Sequence, residues 1–318
     1  MASDREEYAW VVTAAEAGVR LDRFLTQRDV LGSRSQVTRL IGDGSVRVGE
    51  RPVKAGTVLR QGEQVVVRRA PPAPPAAQPE AIELEVLYED SWLLAINKPA
   101  GLVVHPAPGH WQGTLVSALL HRWPAAGAGL DPSRLGIAHR LDKDTSGVLL
   151  VARTAACLAE LGRQFRERAV KKQYLALVWG APRSERGEIG DPIGRHPVDR
   201  KRMAVNPRGR AAVTRYQVVE RFRRSALLRV FPETGRTHQI RVHLAAIGHP
   251  IVADPLYARS RADQPSGLAR QALHAEAIGF HHPHSGEPLR LKAPLAPDLR
   301  AVLRDLRAHS LDIKRGIH

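Results

Sequence analysis

The chain has 318 residues, with 48 Lys and Arg against 32 Asp and Glu and a formal net charge of +16. It is therefore drawn to polyanions, since each neutralised phosphate releases condensed counterions. Anionic membranes would attract the same charge, yet no apolar segment approaches the length of a bilayer span and residues 1–7 are acidic without an apolar core, so neither a membrane protein nor an exported one is expected. The single cysteine, Cys157, excludes an internal disulfide and a cysteine zinc cluster and fits a reducing, cytoplasmic setting.

The length predicts two domains. Residues 18–25 start a helix in which Leu21, Phe24 and Leu25 share one apolar face, and residues 33–41 start a second, with Ser35 as its cap and Arg34 and Arg39 on its exposed side. Gly42-Asp43-Gly44 breaks that helix, and short strands follow at 45–48 and 64–67. Residues 70–79 carry five prolines, which lack the amide donor and fix their own backbone angle, so an extended tether is expected there. The chain accordingly divides into a domain at 1–70, a proline-rich linker at 71–81 and a larger domain at 82–318.

Past the linker, residues 82–90 alternate as a strand, and 92–96 and 148–152 are apolar runs of buried strands. Further strands are predicted at 173–179, 213–219 and 226–230. Thr154 is placed to cap a helix over 155–168, with Leu158, Leu161 and Phe165 inward; Cys157 on that stripe is a packing residue. Thr237 is placed to cap a second helix with a core stripe of Ile240, Leu244 and Ile247, closed by Gly248 in a left-handed C-cap. Many strands with few crossovers argue for an α+β domain on a largely antiparallel, mixed sheet.

The segment His139-Arg140-Leu141-Asp142-Lys143-Asp144-Thr145-Ser146-Gly147 lies between apolar runs, so it is a polar loop held at a sheet end. From the residues alone, Asp142 is either a structural carboxylate paired with Arg140 or Lys143 or a reactive one. The densest basic run, 195–210, is either a solvated loop or a hairpin that grips a nucleic-acid backbone. His281, His282 and His284, with His238 and His243, lack a paired acidic ligand pattern, and no metal is expected.

The 139–147 loop resembles the signature of the RNA pseudouridine synthases of the large-subunit ribosomal type. Other segments follow in that family's order: 96–106 with Asn97-Lys98-Pro99, 172–178 with Lys172-Gln173-Tyr174, 233–243 with Gly235-Arg236-Thr237-His238-Gln239-Ile240-Arg241, and 248–257. The resemblance extends from about residue 84 to 299. One departure is Ala253, where the family usually carries Gly. The helix-helix-strand order before the linker, with its basic residues, resembles the S4 RNA-binding domain.

The resemblance implies a pseudouridine synthase catalytic domain beside a small S4-like α/β domain. It implies that Asp142 is the essential nucleophile, acting at the anomeric carbon or by promoting elimination to a glycal. Arg241, four residues after Thr237 and on the same side of the predicted helix, keeps Asp142 ionised; Arg236 is the rival from sequence alone. Tyr174 stacks on the flipped uracil and can take a sugar proton, Arg140 enters the space left in the stack, and Asp144 and His139 brace the loop. Arg34, Arg39, Lys201, Arg202 and Arg236 contact RNA. Converting uridine to pseudouridine breaks a nitrogen–ribose bond and makes a carbon–carbon bond to the same sugar, with no net electron transfer or hydrolysis, so no cofactor is expected. The S4-like domain with 104–109 and 191–197 is most similar to the branch acting on 23S RNA stem-loop uridines, free or in a large-subunit precursor, as a monomer. A sister branch on other 23S or tRNA sites and a non-catalytic assembly factor are the alternatives; a hydrolase is disfavoured because no Ser or Cys nucleophile motif accompanies Asp142.

Overall fold

The computed structural model describes residues 6–28, 31, 34–49, 51–69, 77–105, 111–123, 130, 135–199, 201–258 and 268–315. The chain forms two compact units, Met1–Pro74 and Pro75–His318. Most of the proline-rich linker, Ser33, and residues 106–109 of the branch motif lie outside the described residues. The last part of the linker is described and docks on the second unit, where the Glu80 N–H donates to the Ser117 carbonyl at 3.0 Å.

In the first unit β1 (Glu6–Val11), α1 (Leu21–Thr26), α2 (Arg34–Gly42), β2 (Val46–Val48), β3 (Arg51–Pro52) and β4 (Gln64–Arg69) form two helices and a four-stranded sheet of order β1-β4-β2-β3. Leu21, Phe24 and Leu25 of α1 and Val37 and Ile41 of α2 bury against Val46, Val48, Val65 and Val67, which are alternate residues of their strands. Sequence missed β1, because its partner β4 is some sixty residues away; the pairing is antiparallel, with Glu7 opposite Arg68 in a 2.8 Å ion pair. Ser35 is not the cap of α2. The helix already begins at Arg34, whose carbonyl accepts from Thr38 Oγ1 at 2.9 Å.

The second unit contains β5 (Glu85–Glu89), β6 (Leu93–Lys98), α3 (Leu115–Arg122), β7 (Ser146–Ala152), α4 (Ala155–Arg166), β8 (Lys171–Trp179), β9 (Arg186–Ile189), β10 (Ile193–Arg195), β11 (Met203–Val205), β12 (Thr214–Arg221), β13 (Ser225–Pro232), α5 (Gln239–Ala246), β14 (Leu273–His281), β15 (Pro288–Lys292) and α6 (Pro297–Arg315). Nine strands make one sheet of order β5-β6-β7-β14-β8-β13-β12-β9, with β15 also on β14. Every described pairing in it is antiparallel except β7 with β14. This is the expected α+β, mixed but largely antiparallel fold.

β7 is buried at every residue, which explains its unbroken apolar run. One face of β6 and β7 (Leu93, Ala95, Val148, Leu150) packs on Cys157 and Leu161 of α4; the other (Leu94, Ile96, Leu149, Val151) packs on Leu115 and Leu119 of α3. A third apolar cluster joins β8 and β13 to Ile240 and Leu244 of α5 and to Val302 and Leu303 of α6. Thr154 caps α4 as expected, its Oγ1 accepting from the Cys157 N–H at 3.1 Å, and the helix stops at Arg166 rather than 168. It stops there because Arg168 turns left-handed (φ 58) and the Ala169 N–H returns to the Gln164 carbonyl at 2.9 Å.

Candidate active site

The order β7-β14-β8-β13 brings three chain segments to one end of the sheet: the loop before β7, the start of β8, and the turn between β13 and α5. Between them lies a cleft of about 590 Å³, lined among others by Arg140, Asp142, Lys172, Tyr174, Arg236, His238 and Arg241.

The 139–147 loop is held from several sides. Leu141 is buried in the same cluster as Leu102 and Leu115. His139 Nε2 accepts the Leu150 N–H at 3.0 Å, and burial pushes the imidazole down to about 3, so the ring stays neutral and braces the loop as expected. Lys98 is fully buried, and its Nζ donates to the carbonyls of Pro99 (2.8 Å), Leu102 (2.9 Å) and Lys143 (2.8 Å). Burial pulls this ammonium down to about 7, with Asp144 and Asp142 opposing the shift. From β14's side, Arg270 Nη1 donates to the Asp144 carbonyl at 3.0 Å while its Nε and Nη2 pair with Asp298 of α6 at 2.6 and 2.8 Å. Gly147 (φ 116) has no alternative: a Cβ there would lie 2.2 Å from the Ala275 carbonyl oxygen of β14.

Asp142 emerges from this frame with its side chain 20 % exposed, and Arg241 Nη1 donates to its Oδ2 at 2.9 Å. Arg241 is itself anchored, since its Nε and Nη2 donate to the two oxygens of fully buried Asp254 at 2.7 and 2.8 Å. Burial opposes the charge on Arg241, but the pairings with Asp254 and Asp142 outweigh it and raise its pKa. Of the two arginines that sequence left open, Arg241 is therefore the one on Asp142; Arg236 Nε donates instead to the Ala211 carbonyl at 3.0 Å. Tyr174 faces the same cleft, half-buried, and burial together with Asp142 raises its hydroxyl so that it stays protonated. Lys172 donates to the Thr234 carbonyl at 2.9 Å, and burial and Arg236 lower it to about 8.

Thr237 is not the cap of α5. The helix starts at Gln239, and His238 precedes it in a left-handed conformation (φ 55). The side chain of Gln239 organises the turn, its Oε1 accepting from Thr234 Oγ1 (2.7 Å) and the Arg236 N–H (3.0 Å). The expected left-handed Gly248 (φ 83) is present, and the Gly248 and His249 N–H groups return to the carbonyls of Ala245 and Leu244.

Among the remaining residues singled out from sequence, Arg140 is exposed at the cleft, and Arg34 and Arg39 are exposed on α2. The basic run forms a hairpin of β10 and β11, with Lys201 exposed near its tip and Arg202 turned onto the ring of Tyr257. The histidines disperse: His282 bonds Asp90, His284 stacks on Trp92, and His243 bonds Thr214 and the Asp191 carbonyl. No three His, Cys, Asp or Glu converge on a metal position among the described residues. Sequence reasoning missed Lys98, Asp254, Tyr257 and Arg270. Lys98 lies in the 96–106 segment and Asp254 and Tyr257 in the 248–257 segment, and the signal available for Asp254 was a carboxylate in a turn just after the helix that carries Arg241.

Comparison with known proteins follows the same division. Residues 92–246 match the RNA pseudouridylate synthase family and residues 19–65 the S4 domain. The chain is 46 % identical over 297 residues to ribosomal large subunit pseudouridine synthase D of Nitrosomonas europaea, covering 92 % of this chain and 85 % of that protein. It is 41 % identical over 298 residues to an uncharacterized RNA pseudouridine synthase of Bacillus subtilis, covering 93 % and 97 %. Among solved structures it is similar to human RNA pseudouridylate synthase domain containing 1, with 29 % identity and a TM-score of 0.56, covering 72 % of this chain and 96 % of that one. No helix among the described residues is long and apolar enough to cross a membrane. With close to half of its residues shared with such relatives along nine-tenths of its length, the chain belongs to the RNA pseudouridine synthases, isomerases of RNA uridine, and carries an S4 domain.

Proposed function

We propose that the protein isomerises stem-loop uridines of large-subunit 23S RNA, free or in a precursor particle, with Asp142 as the carboxylate that opens the glycosidic bond. The observation that carries this reading is the 2.9 Å contact of Asp142 with Arg241, itself locked by Asp254, at the floor of a cleft shared with Tyr174. The fixed guanidinium orients the carboxylate through its Oδ2 and leaves the second oxygen of Asp142 for the sugar. The ribose C1′–N1 bond breaks as a bond forms from the Asp142 carboxylate to C1′, the freed uracil turns while stacked on the Tyr174 ring, and C5 then takes C1′ as its bond to the carboxylate breaks; the proton lost at C5 balances the one gained at N1.

Each unit carries basic residues for RNA. Arg140 at the cleft takes the space of the departing base, and Arg34, Arg39, Lys201, Arg202 and Arg236 hold phosphates. Residues 1–70 act as the S4-type RNA-binding domain, joined through 71–81 to the catalytic domain at 82–318. The relative named for the large ribosomal subunit supports that target, and we read the enzyme as acting there as a cytoplasmic monomer. The test maps pseudouridine in RNA from cells lacking the protein. The expected result is loss at 23S stem-loop uridines, restored by the wild-type gene and not by Asp142→Asn. Loss confined to other 23S positions or to tRNA would assign the sister branch, and restoration by Asp142→Asn would put the nucleophile elsewhere.

A further inference from the structure

Tyr257 stands between the basic hairpin and Arg241. Its hydroxyl accepts the Met203 N–H, at the start of β11, at 2.8 Å, and meets His238 Nδ1 at 2.9 Å. Two guanidinium groups lie over its ring: Arg202 of the hairpin at 5.2 Å from the centroid and Arg241 at 5.1 Å. Arg202 Nε is buried and meets no hydrogen-bond acceptor among the described residues, so the ring face is what receives that side chain. Ile193 and Met203 of the hairpin, Val242 of α5 and Tyr257 close one small apolar cluster. A continuous set of contacts therefore runs from hairpin backbone and side chain, through one tyrosine, to the arginine that donates to Asp142. Tyr257 itself does not line the cleft.

We propose that Tyr257 is a positioning residue that links the hairpin's hold on RNA to the alignment of the Arg241–Asp142 pair. The inference rests on the reading that the hairpin grips RNA and Asp142 reacts. Arg241 has Asp254 on one edge and Tyr257 over its face, so the pose of its remaining Nη1 depends on both. Phosphates that fix Lys201 and Arg202 fix β10 and β11, and through the Met203 N–H they fix the tyrosine. Reacting groups tolerate little misplacement, so a loosened hairpin slows chemistry even on RNA that is fully bound.

The experiment measures single-turnover pseudouridine formation at saturating 23S RNA transcript for wild type, Tyr257→Phe, Arg202→Met and the double variant, with RNA affinity and thermal midpoint measured alongside. Tyr257→Phe keeps the ring and removes the hydroxyl that holds Met203 and His238; Arg202→Met keeps the packing and removes the charge. Each is expected to lower the saturating rate about tenfold, the tyrosine variant with affinity within about twofold of wild type, and the double variant to fall no more than about twofold below the slower single. Losses that multiply in the double variant, or a saturating rate unchanged in Tyr257→Phe, would overturn the inference while leaving the catalytic assignment intact. A wild-type enzyme that forms no pseudouridine in this RNA would instead remove the functional reading, and the inference with it. If Tyr257→Phe fails to fold, the tyrosine is a packing residue and the proposal is likewise overturned.

Discussion

Asp142 keeps a fifth of its side chain open while Arg241 beneath it is nearly sealed, and that difference decides what each substitution does. Asp142→Asn retains shape and the loop's backbone bonds. Its product formation is expected to fall by about 10⁴ or more with RNA affinity within a few fold, read by single-turnover rates and direct binding. Arg241→Ala strands Asp142 and buried Asp254 without their counter-charge, so activity and about 3–5 kcal/mol of stability should be lost together in assay and denaturant unfolding. His139 offers a pH test. Its folded imidazole is held down at about 3 by burial, whereas in the unfolded chain it takes a proton near the ordinary value of about 6.5. The unfolded state thus binds more protons between those values: stability is unaffected above about 6.5 and falls as pH drops toward 3, by up to about 1.4 kcal/mol per pH unit for this one group. The slope of unfolding free energy against pH over that window should be shallower in His139→Gln, and equal slopes would deny His139 the role.

At the scale of elements, the turn after α5 carries the cost of aiming Asp254. Ala253, where Gly is usual in the family that the sequence resembles, sits buried in the left-handed region at φ 56, immediately before the carboxylate that locks Arg241. A side chain pays for that conformation with steric strain that glycine avoids. Ala253→Gly is expected to stabilise the protein by about 0.5–1 kcal/mol, raising the thermal midpoint by about 1–4 °C in a unit of this size. A lower midpoint would show that the methyl group's packing outweighs the strain.

For the whole molecule, each of the two units has its own apolar core, and Asp142, Tyr174 and Arg241 all belong to the second. Deleting residues 1–70 should weaken binding to structured RNA and blur site choice while leaving activity on a short stem-loop, because the first unit adds phosphate contacts and effective concentration rather than chemistry. The slope of log affinity against log salt should flatten in the truncated protein. Coincident slopes would reduce Arg34 and Arg39 to a solvated face.

By itself the sequence determined what depends on neighbours along the chain. The apolar runs of β6 and β7, the Thr154 cap, the left-handed Gly248 and the loop around Asp142 are local patterns, since dihedral preference and burial period are set within a few residues. Contacts over long separations required the folded chain. β1 finds β4 across the whole first unit, Lys98 reaches the Lys143 carbonyl, Arg270 joins α6 to the loop around Asp142, and Asp254 takes two nitrogens of Arg241. Ser35 and Thr237 have the right chemistry for caps, yet α2 already includes Ser35 and the Gln239 side chain holds the turn before α5. Local propensity proposes such roles, and only the competition among distant side chains for the same buried donors and acceptors decides them.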